Sequence, residues 1–467
     1  MSTGPTHVLV LGGGITGLAA AYRLRQREDA PRVTLVEAGD RLGGKLRTER
    51  VDGFVVDTGP ETLAPGRPHA ARLAAELDVE LVDTAPGGPG AVLVKGRLRA
   101  MPDGIGGFIP RRIAPLATTR LFSPAGKVRM AFETVVPARR DGADESLESF
   151  TSRRLGRQAY QRLVEPVASG IFCGDPAQLS ILATMPHLRA AESQHGGLVR
   201  AVLAERRAAR ATPSAPRRGG LMTGRTGMAA LVEALVGRLS SDQGVELLLG
   251  TRAVALRASD DGYAATLRTD GSAERDVPVD AVVVATPTGP AAEVLATLGA
   301  VDAAAMLRAM TTASTATVSL GYSAAGLPDL DALLPAHGYL VAEPGRGPVR
   351  SVTRSSAKFP GRAPDGHELF RVAVRAPDST GDGDLLRFAR EELRVTLGVD
   401  ATPVLEHVQR WSGVMPQYAV GHLDRVTEVE VLLAAYPGVV LAGSGLHGLG
   451  IPDCVASADR AAALVCG

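Results

Sequence analysis

A glycine-rich turn near the start of the chain limits the possible folds more than any other feature of the sequence. The apolar run at residues 7–11 leads into Gly12-Gly13-Gly14-Ile15-Thr16-Gly17, and apolar residues at helical spacing follow it. A second apolar run, residues 32–36, ends at Glu37, which lies 20 residues beyond Gly17. Strand, glycine turn, helix, strand and acid in this order predict a Rossmann-like unit that binds a dinucleotide.

Each part of this turn has a predicted role in holding the dinucleotide. Gly12 permits the tight turn, Gly14 lets the backbone approach a pyrophosphate, and Gly17 lets the helix pack closely on the strand. The phosphates would lie on the helix N-terminus, where free N–H groups favour an anion. Glu37 would accept hydrogen bonds from a ribose 2′-hydroxyl and repel a 2′-phosphate. NADP is therefore disfavoured, while NAD and FAD both stay open at this point.

The chain is long enough to form more than one hydrophobic core. It has 467 residues, of which 45% are hydrophobic, as is usual for a globular protein. The alternation of apolar runs predicts an α/β fold of mixed α+β character, in which a Rossmann-like domain is interleaved with a mixed-sheet domain and a helical domain. We expect the dinucleotide domain to be discontinuous, with residues 1–90, 220–300 and 430–467. The intervening segments predict a mainly helical domain at 91–215 and a substrate-binding domain at 300–430.

Several shorter segments predict individual elements. Helices are expected to begin near 124–127 and 144–147, and residues 211–220 have the composition of a linker. Residues 280–287 predict a buried strand that ends at a ligand-side turn. Residues 438–443 predict a strand that returns to the N-terminal half of the molecule.

Charge and cysteine content argue against several classes of function. The formal net charge is +1, so nothing indicates a nucleic-acid partner. The three cysteines, Cys173, Cys454 and Cys466, lack the spacing of a metal site or of a disulfide framework. We therefore predict no metal and a reduced, cytoplasmic setting.

Membrane association depends on one region of the chain. No segment has the apolar length needed to span a bilayer, so we predict no integral membrane segment. Residues 111–116 and 120–122 mix basic and apolar side chains. A helical surface over a core explains this mixture better than membrane docking, because an interfacial helix needs a longer separation of its apolar and polar faces. Peripheral contact of the helical domain with the inner face of a membrane stays open as the alternative.

Two loops after Glu37 decide between the dinucleotides. Arg41-Leu42-Gly43-Gly44-Lys45 follows the acid, and Asp57-Thr58-Gly59-Pro60 comes after a further apolar run. In this order the loops resemble the flavin amine oxidase superfamily, in which they wrap the pyrophosphate and flavin of FAD. The resemblance implies FAD as the cofactor. It also implies cofactor contacts for Arg41, Gly44, Lys45, Gly59, Pro60, Glu61 and Thr62.

A second glycine-rich segment follows the returning strand. It begins at Ser444, and Gly448-Leu449-Gly450-Ile451-Pro452-Asp453-Cys454 leads into residues at helical spacing. Glycines let the backbone pass against a flat ring, and Pro452 is tolerated in a first helical turn. The positive end of that helix would face the flavin and stabilise its anionic reduced form.

Three segments narrow the resemblance. They are 165–176 with Leu179-Ser180, 415–418 with Gly421-His422, and 450–454, and together they resemble the porphyrinogen oxidase family. This family includes protoporphyrinogen oxidases and the coproporphyrinogen III oxidases of Gram-positive bacteria. The resemblance implies an enzyme of haem biosynthesis that passes hydride equivalents from the methylene bridges of a porphyrinogen to FAD. Oxygen would then reoxidise the flavin and yield hydrogen peroxide.

The family resemblance also assigns roles to single residues. It places Arg67 near the substrate, where its charge would pair with a propionate. Cys173 is expected to be a small buried residue without a redox role. His422 and His447 are expected to be structural, as a lone histidine more often is, so no catalytic residue is assigned. Further cofactor contacts are implied for Val254 on the adenine side, Trp411, Ser444, Leu449, Gly450 and Ile451.

The expected substrate is coproporphyrinogen III, because the chain lacks membrane segments and resembles the soluble Gram-positive branch. Protoporphyrinogen IX is the alternative substrate, and a ferrochelatase is an expected recipient of the product. An amine oxidase or a carotenoid desaturase would keep the FAD loops without the segments 165–176 and 450–454. A binding protein without activity, such as a GDP-dissociation inhibitor, would lack flavin-contacting glycines, all of which are present here.

Overall fold

The structure of the chain, a computed structural model, describes residues 6–64, 66–87, 90–102, 105–106, 109–110, 113–211, 220–334, 336–342 and 347–466. Its strands are β1 His7–Leu11, β2 Arg32–Val36, β3 Thr48–Val51, β4 Phe54–Asp57, β5 Leu81–Asp83, β6 Ala91–Val94, β7 Arg97–Ala100, β8 Ile105–Gly106, β9 Ile109–Pro110, β10 Met222–Gly224, β11 Val245–Leu248, β12 Thr251–Ser259, β13 Gly262–Thr269, β14 Arg275–Val279, β15 Ala281–Val284, β16 Thr312–Ser323, β17 Gly338–Val341, β18 Val349–Arg354, β19 His367–Arg375, β20 Leu405–Pro416 and β21 Val439–Leu441.

The helices of the described residues are α1 Ile15–Arg25, α2 His69–Glu76, α3 Ile113–Thr118, α4 Pro124–Ala131, α5 Leu147–Leu155, α6 Arg157–Ala159, α7 Glu165–Phe172, α8 Ile181–Thr184, α9 Pro186–His195, α10 Leu198–Ala211, α11 Ala230–Ser240, α12 Thr288–Thr297, α13 Val301–Arg308, α14 Leu330–Leu333, α15 Ser355–Lys358, α16 Asp382–Leu397, α17 His422–Leu433 and α18 Ile451–Cys466. Short 3-10 helices lie at Phe132–Val135 and Ala324–Gly326, and a π-helical turn lies at Tyr160–Val164.

A five-stranded parallel sheet is built around β1. Its strand order is β11-β2-β1-β15-β21, so β2 lies on one side of β1 and β15 on the other. Val8 and Val10 pack with α1, α11 and α18 on one face, whereas Leu9 and Leu11 pack with α12, α13 and α17 on the other. The predicted Rossmann-like unit is therefore present, and the reversal of strand order at β1 is where ligands bind in such sheets.

The strand that was expected to return to the N-terminal half is β21. It pairs in parallel with β15, which is the buried strand predicted at 280–287. Parallel strands in the interior of such a sheet are apolar on both faces, and β15 consists of one alanine and three valines. Both strand predictions are confirmed.

A seven-stranded sheet forms the second large layer. Its strand order is β20-β16-β19-β18-β17-β6-β7, and its pairs are antiparallel apart from the parallel pair β17–β6. On one face, Val318 and Val372 belong to the apolar core that α16 covers. On the other face, Thr317 and Ser319 of β16 and Arg371 of β19 alternate with these apolar residues. We call this second surface the polar sheet face.

Strands β6 and β7 differ from the sequence-based expectation. They lie at the start of the segment 91–215, which we expected to be mainly helical, yet they belong to the seven-stranded sheet. Ala91 of β6 pairs with Tyr339 of β17, a residue far away along the chain. Local periodicity carries no information about such a distant partner, which explains the difference.

The remainder of that segment is mainly helical. The Ser123 hydroxyl accepts the Gly126 N–H at the start of α4, and the Ser146 hydroxyl accepts the Ser149 N–H at the start of α5, both at 3.1 Å. These N-caps confirm the predicted helix starts. Residues 212–219 of the predicted linker lie outside the described residues.

Three arginines and three glutamates form a buried ion network among these helices. Arg154 pairs with Glu133, and neither side chain is exposed to solvent. Arg153 bridges Glu145 at 2.6 Å and Glu192 at 2.7 Å. Arg189 contacts the same two carboxylates at 3.1 Å and 2.8 Å. The network thus joins α5, α9 and the 3-10 helix that precedes them.

The stretches that mix basic and apolar residues are only partly described. Residues 111–112 lie outside the described residues. Leu121 and Phe122 are buried in the core of the helical segment. Among the helices of the described chain, none combines the length and the apolar character that crossing a membrane requires.

Candidate functional site

The glycine turn lies at the carboxyl end of β1 and leads directly into α1. Gly12 has a φ of +101°, and a Cβ there would lie 2.8 Å from the Ala285 carbonyl oxygen. A Cβ on Gly17 would collide with the Gly12 carbonyl. A Cβ on Gly14, by contrast, would have no atom of the described residues within 4 Å. The space in front of Gly14 is therefore open at a helix N-terminus, as a bound pyrophosphate requires.

The first of the two loops after Glu37 packs against this turn. Gly43 forms a β-bridge with Gly14, and its N–H donates to the Gly13 carbonyl at 2.8 Å. Gly44 has a φ of +55°, and a Cβ on it would lie 3.1 Å from the Gly14 Cα. The Arg41 guanidinium donates to the carbonyl oxygens of Leu42 and Gly44, and burial together with Arg47 lowers its pKa. Gly13 and Gly44 thus lie beside the open space in front of Gly14.

Glu37 follows β2 at the same edge of the sheet. One of its oxygens accepts the Gly13 N–H and the other accepts the Gly39 N–H, each at 2.8 Å. A carboxylate oxygen has a further lone pair, so these bonds leave acceptor capacity for a ribose hydroxyl. The contact of Glu37 with a ribose remains a prediction.

Lys45 joins the first loop to the C-terminal glycine segment. Its ammonium group donates to the Val414 carbonyl at 3.0 Å and to the Ser444 hydroxyl at 3.1 Å. Burial lowers the pKa of Lys45. Two residues predicted to contact the cofactor, Lys45 and Ser444, therefore meet although 399 positions separate them in the sequence.

The second loop, residues 57–62, lies between Lys45 and the polar sheet face. A Cβ on Gly59 would collide with the Lys45 carbonyl. The Trp411 indole N–H donates to the Thr58 carbonyl at 3.0 Å, and Arg371 donates to the Gly59 carbonyl at 2.8 Å. Hydrogen bonds from Trp411 and Arg371 to the backbone of the loop thus hold it in place.

Three other residues of this loop were predicted to contact the cofactor. The buried Glu61 carboxylate accepts the Ser355 hydroxyl at 2.9 Å and lies 3.6 Å from Arg371, so it faces the seven-stranded sheet. Pro60 is exposed, and Thr62 is half-buried. Any cofactor contact of Glu61 would therefore come from its backbone.

The C-terminal glycine segment leads into α18 beside α1. The Gly450 N–H donates to the Asp453 carboxylate at 3.1 Å, and Asp453 also pairs with Arg67. Thr16 at the start of α1 contacts the Cys454 thiol at the start of α18. Two helix N-termini therefore converge at the edge of the five-stranded sheet. This position suits the predicted contacts of Ile15, Thr16, Leu449, Gly450 and Ile451 with an anionic cofactor.

Val254 lies on β12, the strand that follows the Glu37 end of β2. Ala253 pairs with Leu267 and Ala255 with Thr266, so Val254 is the extra residue of a β-bulge. Bulges re-aim side chains and are frequent beside binding sites. The predicted adenine contact of Val254 is compatible with this position and stays a prediction.

The two histidines that sequence analysis considered have structural partners. The buried His422 ring stacks on Tyr418 with ring centroids 4.1 Å apart, and its Nε2 donates to the Leu446 carbonyl at 2.7 Å. Burial lowers the pKa of His422. The Nε2 of His447 lies 3.0 Å from the Glu430 carboxylate on α17. Neither histidine is placed as a general base.

Cys173 differs from the expectation of a simple buried residue. It is half-buried and has a φ of +56°, a left-handed conformation that residues other than glycine rarely adopt. Its thiol contacts Thr315 on the polar sheet face, and burial raises the pKa of this thiol. Cys173 therefore brings the end of α7 to the seven-stranded sheet.

The cations of the polar sheet face were not predicted from the sequence. Arg371 and Arg375 occupy alternate positions of β19 and so project to one side, while Arg350 lies on the neighbouring strand β18. The alternation within 367–375 could have indicated a charged face. The many arginines of the chain obscure that signal.

The residues present fit FAD. The open space at Gly14, the closely packed glycine loops and the converging helix N-termini provide a path for a dinucleotide. Lys45 and Ser444 lie at the far end of this path, next to the loop 57–62 and the polar sheet face. A flavin placed there would lie between the two large sheets.

Comparisons with known proteins identify the family. The family described as flavin containing amine oxidoreductase matches residues 15–466. The coproporphyrinogen III oxidase of Propionibacterium freudenreichii subsp. freudenreichii is 38% identical, covering 98% of this chain and 90% of that protein. The coproporphyrinogen III oxidase of Bacillus subtilis (strain 168) is 34% identical and covers 97% of each chain.

A solved structure gives the same result. The protein from Exiguobacterium sp. 255-15, provisionally named protoporphyrinogen oxidase, superimposes with a TM-score of 0.84 at 29% identity and covers 98% of each chain. These similarities confirm the predicted fold class and the predicted flavin cofactor, FAD. The chain therefore belongs to the porphyrinogen oxidase family of the flavin containing amine oxidoreductases.

Proposed function

We propose that this oxidoreductase converts coproporphyrinogen III to coproporphyrin III in haem biosynthesis, with FAD as cofactor and oxygen as electron acceptor. Similarity to two coproporphyrinogen III oxidases over nearly the whole chain supports this substrate. Protoporphyrinogen IX is the second candidate, because protoporphyrinogen oxidase 1 of Arabidopsis thaliana is 29% identical over 98% of this chain.

The observation that carries the proposal is the polar sheet face beside the predicted flavin loop. Arg371 on this face donates to the Gly59 carbonyl, and Arg350 and Arg375 lie near one another on the adjacent strands. The opposite face of the same sheet is sealed by α16. A tetracarboxylate macrocycle entering between the two sheets would meet cations as it reaches the flavin.

The residues of the chain would act mainly by positioning. Gly14 and the start of α1 would hold the pyrophosphate, and Lys45 and Ser444 would fix the flavin end. FAD, when bound, accepts a hydride equivalent in each round of oxidation. Arg371 and Trp411 would keep the loop 57–62 in place between the cofactor and the substrate. No side chain is assigned as general acid or base.

The proposed reaction balances with oxygen as the oxidant. Conversion of the porphyrinogen to the porphyrin removes six hydrogen atoms, four from the methylene bridges and two from the pyrrole nitrogens. They leave as three hydride equivalents from carbon and three protons, one of which also comes from a bridge carbon. Three molecules of oxygen take up these atoms and become three molecules of hydrogen peroxide.

Porphyrin fluorescence provides the test. The purified holoprotein is mixed under air with coproporphyrinogen III or protoporphyrinogen IX, hydrogen peroxide is followed in parallel, and a reaction without enzyme corrects for autoxidation. We expect a higher kcat/KM for coproporphyrinogen III and one peroxide for each two-electron step. A preference for protoporphyrinogen IX would support the second candidate. Bound FAD without oxidation of either substrate above the control would refute both.

The organisation of the chain and its location are further proposals. We propose that residues 1–90, 220–300 and 430–467 bind FAD, and that residues 300–430 contribute the substrate surface. The enzyme would work in the cytoplasm and pass its product to a ferrochelatase, and peripheral contact of the segment 91–215 with the inner membrane face is the alternative to a helical surface over a core. Co-sedimentation with anionic lipid vesicles tests the membrane contact, and pull-down by a ferrochelatase tests the transfer.

A further inference from the structure

Strand β18 contains a β-bulge at Arg350. Val349 pairs with Val374 of β19 and Ser351 pairs with Ala373, so Arg350 is the extra residue on its strand. Val349 and Val352 both belong to the apolar core under α16. The bulge therefore turns the side chain of Arg350 away from that core, toward the polar sheet face.

Helix α7 lies over this face on the side opposite to α16. A Cβ on Gly170 of α7 would lie 3.5 Å from Leu340, which alternates with the core residues Tyr339 and Val341 of β17. The half-buried Arg350 guanidinium is within electrostatic reach of Glu165 at the start of α7. It is also within reach of the Cys173 thiol, which follows α7.

Arg350 has donors that the described chain does not use. Its Nη1 donates to the carbonyl oxygens of Gly347 at 3.0 Å and Val349 at 3.2 Å. No described residue accepts a hydrogen bond from its Nη2 or Nε. A guanidinium with free donors on one edge can bind a carboxylate through two parallel hydrogen bonds.

The local charges leave an excess of positive charge. Arg350 lies close to Arg375, and burial together with this like charge lowers the pKa of Arg350. The carboxyl group that faces Arg350 belongs to Glu165, whose buried Oε2 has no hydrogen-bond partner among the described residues. Burial raises the pKa of Glu165, although Arg350 opposes that shift. Arg350 thus lies between a second guanidinium and a carboxyl that burial disfavours as an anion, which leaves it free to bind another anion.

We propose that Arg350, assisted by Arg375, binds a propionate carboxylate of the substrate on the seven-stranded sheet. This inference rests on the proposed function and deepens it. The site is separate from Arg67, which lies beside α18 and pairs with Asp453. In coproporphyrinogen III all four pyrroles carry a propionate, whereas the propionates of protoporphyrinogen IX lie on two neighbouring pyrroles. Cations on two walls would therefore favour the tetracarboxylate.

Equilibrium binding tests this site without requiring turnover. Quenching of porphyrin fluorescence gives the Kd of the FAD-loaded protein for coproporphyrin III and for protoporphyrin IX. The variants are Arg350→Gln, Arg350→Lys and Arg375→Gln. The matched control is Arg387→Gln, which removes an exposed arginine of α16 on the other side of the sheet.

We expect Arg350→Gln to weaken coproporphyrin III binding about ten- to a hundred-fold, as loss of a charge-assisted hydrogen bond does. Protoporphyrin IX binding should change less. Arg350→Lys should restore part of the affinity, because lysine keeps the charge but lacks the planar fork. Arg387→Gln should leave both constants unchanged. With either porphyrinogen as substrate, Arg350→Gln should raise KM more than it lowers kcat.

Substitution of the facing carboxyl of Glu165 should not weaken the binding of coproporphyrin III. Glu165→Gln removes the group that competes for Arg350, so coproporphyrin III should bind as well as or more tightly than to the wild type. Arg375 is exposed, so its substitution should not prevent folding if Arg350→Gln does. Arg375→Gln should then weaken the binding of coproporphyrin III more than that of protoporphyrin IX.

Two results would overturn the inference. One is a folded, FAD-loaded Arg350→Gln protein whose Kd for coproporphyrin III is within twofold of the wild type. The other is an equal loss of affinity for both porphyrins. Failure of the proposed function looks different: the wild type would bind coproporphyrin III, lose that affinity on substitution of Arg350, and still oxidise neither porphyrinogen.

Discussion

The five-stranded sheet and the helical segment 113–211 bury different kinds of residue. Around β1 the close contacts are made by glycines and aliphatic side chains, with Gly12 and Gly17 against backbone atoms. In the helical segment the buried ion network holds α5 and α9 together. The first region leaves room for a ligand, whereas the ion network of the second pairs its arginines and glutamates with one another.

Helix starts show the same contrast. The Ser123, Ser146 and Ser180 hydroxyl groups cap α4, α5 and α8 in the helical segment. Helix α1 begins after Gly14, which has no side chain to accept its free N–H groups. A helix whose first amides are left free can bind an anion, and a capped helix contributes stability instead.

The largest expected effect is the loss of one arginine from the buried ion network. Arg154→Met leaves Glu133 buried without its main cation, so we expect the free energy of unfolding to fall by about 3–5 kcal/mol. Urea denaturation of the FAD-loaded protein measures this change. Arg387→Gln, which breaks an exposed pair with Asp384, should change it by less than about 1 kcal/mol. Equal losses in the two variants would mean that burial of the network is unimportant.

The second prediction separates ligand binding from stability at α1. Gly14→Ser supplies a capping hydroxyl and fills open space, so the apoprotein should keep its stability while FAD affinity falls about tenfold or more. Gly17→Ala collides with Gly12 and should destabilise the apoprotein as well. Flavin fluorescence titration and thermal melts of the apoproteins distinguish the two. Wild-type FAD affinity in Gly14→Ser would place the pyrophosphate elsewhere.

The third prediction concerns a cap in the helical segment. Ser146→Ala removes the acceptor of the Ser149 N–H at the start of α5, which should cost about 1 kcal/mol of unfolding free energy. FAD affinity should stay unchanged, because the cap lies away from the glycine turn. Replacement by Asp, which also caps helices, should restore the stability. A loss of FAD affinity would couple the two regions that we describe as independent.

The smallest expected effect is a difference between the two regions in how their stability changes with pH. Burial lowers the pKa of His422 below 6.5, helped by Arg425 and His447, with Asp144 opposing. Unfolding then adds a proton, so stability falls as the pH drops from 6.5 toward the lowered value. His422→Gln should remove this part of the pH dependence. Chemical denaturation at pH 5.5 and 7.5 measures the difference, and an unchanged pH dependence would contradict the assignment.

The ion network should respond at lower pH. Burial by itself would raise the pKa of Glu192. Hydrogen bonds from the Arg153 and Arg189 side chains and from the Arg139 N–H outweigh burial and lower this pKa below 4.5. Its contribution to stability is therefore present above pH 4.5 and is lost as the pH falls through the lowered value. The two regions should lose stability in separate pH windows.

The sequence predicted the features of the site that depend on residues close together in the chain. Gly14 and Glu37 were identified because each follows an apolar run, and parallel strands bring such ends to one edge. Ser444 was assigned through the family resemblance, and it follows the strand that pairs with β15 at the same edge. Arg350 could not be identified in this way. Its orientation comes from a bulge that exists only when β18 pairs with β19. The pairing of Arg154 with Glu133 likewise depends on how separate helices pack, which local periodicity does not encode.

The bond between Lys45 and Ser444 has a consequence for the synthesis of the protein. A ribosome releases the glycine turn early, but β21 and α18, which complete the flavin end of the path, emerge only near residue 466. Contacts between such distant segments form slowly, because a long loop must close first. The nascent chain would therefore pass most of its elongation without a finished cofactor site, and uptake of flavin would mark the end of folding.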